Sequence, residues 1–274
     1  MKIIVYGLGI IGASVCGALK RAGHSVYGKN RSRQPIEIAL QRRWIDGVAI
    51  DYEGADIVIL ALPPRIALRE LDEAKFPNGA IVADICGVKK PLEQVVFSRP
   101  RAYRYIGMHP MAGKETTGIT SASETLFDGA NLILTRNENT DESALNAMIG
   151  LGKEMGFGRI VESTAEQHDK MIALTSQLAH VVSNAYVKSS LTEHCFGFTG
   201  GSFQDMTRIA GLDENVWTEL FFLNKVPLCK EIDRLIHCLQ QYRSALEQQD
   251  EGSMRELLSE GKKFHNSFKS IKTD

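Results

Sequence analysis

The sequence predicts an α/β protein, a Rossmann-type doubly wound sheet followed by an all-α region, on three observations. A glycine turn, Gly7-Leu8-Gly9-Ile10-Ile11-Gly12, joins an apolar run to a helical one near the start. Strand-like and helix-like patterns then alternate to about Glu162. Beyond that point helical periodicity continues with almost no strand pattern.

Residues 1–6 form a short apolar run suited to a buried strand, and residues 13–21 follow as a helix. Residues 24–29 form a second strand that ends in Asn30-Arg31-Ser32-Arg33. Further strands are predicted over 56–62, closed by Pro63 and Pro64, over 79–84, and over 103–109, which runs into a loop. Strands over 130–136 and 158–162 complete the set, with a helix over 142–155 between them. Such alternation argues a parallel sheet, whose ligands bind beyond the carboxyl ends of the strands. The rule gathers 7–12, 62–64, 84–89 and His109 around one crevice.

Ser163, Thr164 and Glu166 resemble a capping box that opens a long helix to about Ser189. A glycine-rich break over 196–202 precedes a short helix around 205–210. A long helix begins at Asp213 and is expected to be interrupted near Pro227. Leu235, Leu239, Tyr242 and Leu246 sit along it at helical spacing, and a last helix covers 252–268. The boundary is placed between a dinucleotide-binding domain, 1–162, and a helical substrate-binding and dimerisation domain, 163–274. Long apolar faces in the second domain make a homodimer the expected assembly, with a self-contained helical bundle as the alternative.

The 274 residues are 43% hydrophobic and 24% charged, with a net charge of −1. There is thus no global field to attract nucleic acid or an anionic membrane, and a small anionic substrate would need local Arg and Lys. Five scattered cysteines without a C-x-x-C pair suggest neither a zinc site nor a disulfide framework. They fit reduced thiols in the cytoplasm. The start reads directly into a strand rather than a signal peptide, and no apolar run approaches a membrane span.

The glycine spacing has physical content. Gly7 permits the tight turn, Gly9 lets a pyrophosphate approach the backbone, and Gly12 lets the helix pack close to the sheet. The free N–H groups around Leu8, Ile10 and Ile11 and the helix dipole favour the anion. NAD-selective sites usually carry an acidic residue at the end of the second strand. Here that position is Asn30, followed by Arg31, Ser32 and Arg33. An uncharged acceptor with two guanidinium groups suits a 2′-phosphate, so NADP is expected over the alternative, NAD.

Two residues stand out as chemical candidates. His109 ends a strand inside a turn rich in Pro and Gly, where a proton acceptor for hydride transfer is needed. Arg208 follows a glycine hinge in a mostly apolar stretch and needs an anionic partner, either a substrate carboxylate or a structural acid such as Asp205.

These features together resemble the prephenate/arogenate dehydrogenase family of tyrosine biosynthesis, over nearly the whole chain. The resemblance rests on GLGIIGAS at the start, DICGVKK at 84–90, HPMAGKETTG at 109–118, LFDGANLILT, HDKMIALTSQLAH at 168–180, and GGSFQDMTRIA with Trp217 beyond. It implies oxidative decarboxylation of prephenate: hydride leaves the hydroxyl-bearing ring carbon for the nicotinamide, CO2 departs from the opposite carbon, and the ring becomes aromatic. His109 would draw off the hydroxyl proton, and Arg208 would bind a carboxylate. Gly87, Lys89, Ser176 and Gln177 are then expected at the substrate site, and Leu62 and Pro63 at the cofactor site. His180, one helical turn from Ser176 and Asn184, is either a substrate-site residue or an ordinary interface histidine, and His168 at the start of the same helix is open to a structural role. No metal is implied. Two departures bear on substrate choice. Members commonly read Gly-Ser before Val-Lys, where this chain has Cys86-Gly87, and Ser-His-Leu-Pro-His, where it has Ser176-Gln177 and then Leu-Ala-His180. The alternatives are an arogenate dehydrogenase, an enzyme acting on an amino analogue of prephenate, a 3-hydroxyacid dehydrogenase, and a nucleotide-sensing protein without turnover.

Overall fold

The computed structural model describes residues 1–113, 116 and 118–271. One eight-stranded sheet organises the first part of the chain. Its strands are β1 (Lys2–Tyr6), β2 (Ser25–Lys29), β3 (Gly47–Val48), β4 (Ile57–Leu60), β5 (Ile81–Asp84), β6 (Arg104–Met111), β7 (Asn131–Thr135) and β8 (Arg159–Ser163). They lie in the order β3-β2-β1-β4-β5-β6-β7-β8. Strands β1 to β6 pair in parallel.

The expectation of a parallel sheet holds for those six strands. β7 runs antiparallel to β6, with His109 opposite Ile133, and β8 then runs parallel to β7. A parallel neighbour needs a crossover, usually helical. The only helix among the described residues between β6 and β7 is a single 3-10 turn, Ile119–Ser121.

Side chains alternate across the central strands. Ile3, Val5, Ile57, Ile59, Ile81 and Ala83 enter one core, with Val15 and Leu19 of α1 (Ile10–Arg21) and Leu145 and Met148 of α5 (Glu142–Glu154). Ile4, Val58, Leu60 and Val82 enter the other, with Ala67 and Leu71 of α3 (Pro64–Glu73) and Leu92 and Val96 of α4 (Lys90–Val96). α2 (Arg33–Gln41) follows β2 and contributes Ala39 to the first core. Burial on both faces explains why these strands read as continuous apolar runs.

Thr164 caps α6 (Ala165–Ile172) by accepting from the Gln167 amide. The expected single helix then passes through a π-helical stretch, Ala173–Leu178, into α7 (Ala179–Tyr186). The short helix lies earlier than expected: α8 is Gly201–Thr207, and Arg208 is its C-cap. The break in the next helix falls at Asn224, not near Pro227. α9 (Glu214–Leu223) ends there and α10 (Lys225–Glu247) begins. Pro227 sits in the first turn of α10, where its missing N–H costs nothing. Asn224 is buried instead, its amide donating to the Asp169 carbonyl and to Gln177 Oε1.

The chain separates into two compact units, Met1–Lys225 and Val226–Asp274. The second holds most of α10 and all of α11 (Glu251–Ile271). Between these helices Gln249 takes a left-handed conformation, φ 53°, and Asp250 accepts from the Ser253 amide. Ile236, Leu239, Leu246, Leu258 and Phe264 are exposed on this pair. No helix among the described residues is long and apolar enough to cross a membrane.

Candidate active site

Three loops meet where strand order reverses. The turn after β1, the segment after β4 and the loop after β5 line a crevice of about 340 Å³. Its walls include Gly9, Gly12, Leu62, Pro63, Gly87 and, from α9, Leu220. This is the switch point at which open α/β sheets bind ligands.

The glycines divide the labour as their spacing suggests. Gly7 has φ +99°, and a Cβ there would meet the Ala61 carbonyl at 2.1 Å. A Cβ on Gly12 would lie 1.9 Å from the Gly7 oxygen, whereas one on Gly9 would meet nothing within 4 Å. That opening lies over the N-terminus of the 12-residue α1, which has no side-chain cap and no acidic residue in its first turn. Uncapped N–H groups and the helix dipole then face an open space, which fits a dinucleotide pyrophosphate. Asn30 braces the turn: its Oδ1 accepts from the Leu8 amide at 2.9 Å and its Nδ2 donates to Ser32. Arg31 and Arg33 are exposed, and Arg33 pairs with Glu37 at 2.7 Å.

His109 stands two residues past Gly107, which pairs with Asp84, the last residue of β5. It therefore lies at the sheet end where the 85–87 loop begins. The ring is partly buried, and its Nδ1 is 2.8 Å from His168 Nε2. His168, which is buried, places Nδ1 2.7 Å from Asp169 Oδ1. Asp169 also accepts the amides of Lys89, at 2.8 Å on Oδ1, and Lys90, at 2.9 Å on Oδ2. Burial pushes the His109 pKa well below the usual histidine value, and the nearby His168 and Lys89 charges push the same way. His168 is also lowered by burial, with Asp169 opposing. His109 is thus a neutral imidazole at neutral pH, with a lone pair on one of its ring nitrogens.

Lys89 does not face the crevice. Its ammonium and the Asp84 carboxylate are both fully buried, 2.5 Å apart. Tyr105 donates to Asp84 Oδ2 at 2.6 Å and the Cys86 amide to Oδ1 at 2.8 Å. Burial beside Asp84 holds the Tyr105 and Cys86 pKa values well up, so the Cys86 thiol stays protonated and unreactive.

The remaining candidates sit on helices. Ser176 and Gln177 fall in the π-helical stretch. Gln177 is buried, its amide directed to Asn224 and the Leu220 carbonyl, so it backs the crevice wall instead of lining it. His180 directs Nδ1 to the Ser176 carbonyl at 2.8 Å and packs on Trp217, ring centroids 3.9 Å apart. Trp217 adjoins Val216, which lines the crevice. Arg208 is exposed at the end of α8. Lys114, Glu115 and Thr117 of the 109–118 motif lie outside the described residues. The sequence leaves His168 open to a structural role and does not single out Asp169, yet the two join His109 in one hydrogen-bonded chain. The available signal was a His-Asp pair opening a capped helix.

Sequence profiles match almost the whole chain. Residues 15–162 match the nucleotide-binding domain of prephenate dehydrogenase, and residues 164–260 match its dimerization domain. Prephenate dehydrogenase of Bacillus subtilis strain 168 is 28% identical over 284 residues, covering 97% of this chain and 76% of that protein. Among solved structures, the arogenate dehydrogenase of Synechocystis superimposes with a TM-score of 0.82 at 28% identity, covering 98% of this chain and all of the other. The A. aeolicus prephenate dehydrogenase in complex with hydroxyphenyl propionate and NAD+ gives 0.83 at 26% identity, covering 100% and 98%.

Proposed function

The chain belongs to the prephenate dehydrogenase family of NAD(P)-dependent oxidoreductases, and we propose that it oxidatively decarboxylates prephenate to 4-hydroxyphenylpyruvate in tyrosine biosynthesis. The observation that carries this reading is His109. A neutral, partly buried imidazole stands at the carboxyl end of β6, at the same sheet end as the glycine turn and its crevice.

The nicotinamide dinucleotide supplies the hydride acceptor. The glycine turn and the first N–H groups of α1 would hold its pyrophosphate, with Leu62 and Pro63 along the wall. His109 Nε2 accepts the proton of the substrate hydroxyl as hydride leaves the same carbon. Loss of CO2 from the opposite ring carbon returns an electron pair to the ring, which becomes aromatic. Arg208 grips a substrate carboxylate, and Ser176 and His180 are the proposed contacts to the rest of the substrate. NADP is the preferred cofactor, since Asn30 puts no carboxylate against a 2′-phosphate and Arg31 and Arg33 are exposed beside it.

The reading keeps the division into a nucleotide-binding domain, 1–162, and a helical domain, 163–274, in line with the spans of the two matching profiles. A second copy of the chain would cover the apolar residues exposed on α10 and α11. The proposed location is a reducing cytoplasm, in which the five cysteines would stay thiols.

A four-way assay tests the function: prephenate and arogenate, each with NAD and NADP. The expected result is reduced cofactor and CO2 from prephenate, faster with NADP. Turnover of arogenate alone would move the assignment to arogenate dehydrogenase, the activity named for the Synechocystis relative. No turnover of either would overturn it.

A further inference from the structure

We propose that His168 is a positioning residue that, held by Asp169, fixes the tautomer of His109 so that its Nε2 carries the lone pair. The proposal rests on the reading of His109 as proton acceptor.

Hydrogen-bond logic runs outward from Asp169. Both of its oxygens accept backbone N–H groups, Oδ1 from Lys89 and Oδ2 from Lys90. A carboxylate so placed is an acceptor only, so the hydrogen between it and His168 sits on His168 Nδ1. The neutral His168 ring then has an acceptor at Nε2. The atom facing that acceptor, His109 Nδ1, must donate, at 2.8 Å. A neutral imidazole with its hydrogen on Nδ1 keeps its lone pair on Nε2, the atom that proton removal requires. An imidazole free of such partners favours the opposite tautomer, which would aim a donor at the substrate.

The same chain carries the consequence of proton transfer. When His109 Nε2 gains the substrate proton, the new imidazolium still donates through Nδ1 to His168. Its positive charge stays on His109 and is stabilised, through the polarised His168 ring, by the Asp169 carboxylate against the Lys89 charge. No atom is gained or lost at His168. Asp169 also ties the arrangement to the crevice wall, because the amides it holds directly follow Gly87, which lines the crevice, and Val88. Its backbone carbonyl is fixed by Asn224 at 2.9 Å.

The test is the tautomer itself. Long-range 15N–1H correlation spectra of the protein labelled in its histidine rings report which nitrogen is protonated, with His109 identified by the signals missing from His109→Asn. The expected pattern at neutral pH is a protonated Nδ1 and a bare Nε2 on His109. In His168→Leu the proton should move to Nε2, and kcat should fall by about 10- to 100-fold while KM stays within about threefold. His168→Gln offers a carbonyl oxygen at the same place and should recover most of kcat and the wild-type tautomer. A wild-type His109 protonated on Nε2, or full kcat in a folded His168→Leu, would overturn the proposal. Should His168→Leu fail to fold, the wild-type spectrum and His168→Gln decide alone. Loss of the substrate assignment would show as absent wild-type turnover and leave the tautomer result standing.

Discussion

The Lys89 ammonium and the Asp84 carboxylate, five residues apart in sequence, form an ion pair with no exposed surface on either side chain. Removing one member of a buried pair leaves an uncompensated charge, at about 3–5 kcal/mol. Lys89→Met should therefore lower Tm by roughly 10 °C in calorimetry. The variant also removes a positive charge that, after burial and His168, holds the His109 pKa down. The His109 pKa should rise, and the acid limb of the kcat/KM profile should move to higher pH.

Gly9→Ala and Gly12→Ala should fail differently. A Cβ at position 9 meets nothing within 4 Å, so that variant should keep its Tm while its Kd for NADP rises at least about tenfold. At position 12 the Cβ would sit 1.9 Å from a carbonyl oxygen and 2.7 Å from Ala61 Cβ. That variant should lose roughly 2 kcal/mol or more in urea unfolding before any ligand is added.

His109 and His168 predict how stability varies with pH. Both have pKa values lowered by burial, so the unfolded chain binds more protons than the folded one once pH drops below about 6.5. Stability present above that value should be lost as pH falls through the window between 6.5 and the lower folded pKa values. His109→Asn should flatten part of this decline. Tm measured from pH 7.5 to 5 for both proteins checks the sign.

Asn30→Asp should turn the enzyme toward NAD. Asp keeps the acceptor for the Leu8 amide but places a charge where a 2′-phosphate would lie. The ratio of kcat/KM for NADP over NAD should fall by about tenfold or more, and Arg31→Ala should lower it less, by loss of attraction alone.

Much of this was legible because the central strands are buried on both faces, and an unbroken apolar run closed by Gly or Pro is hard to mistake. β3 escaped because Gly47 and Val48 are too few to show a pattern. The direction of β7 escaped because an apolar run does not state which way it points. Lys89 reads as a crevice residue from its place after β5, since nothing in its own neighbourhood shows that Asp84 and Tyr105 would enclose it. The helix break went to Asn224 over Pro227 because a proline is harmless in a first turn, while a buried amide with two distant acceptors is invisible to local rules. Glycine spacing and His109 were readable since both depend on local geometry at strand ends. The His168–Asp169 support depends on α6 meeting β6 and is tertiary.

The π-helical stretch over Ala173–Leu178 amounts to one extra residue wound into an otherwise α-helical rod. Each α-helical residue advances the rod by about 100°. His180 meets Trp217, and Asn184 meets the Ala210 carbonyl, because of that surplus step. Deleting one residue from the stretch would rewind it and swing every later side chain by about a quarter turn, carrying His180 away from Trp217 while His168 and Asp169, upstream, stay in place. The rod therefore has two phases, one set by the proton chain and one by the face beyond it. A change in the bulge alone would alter the side chains presented beyond it and leave the His109–His168–Asp169 chain untouched.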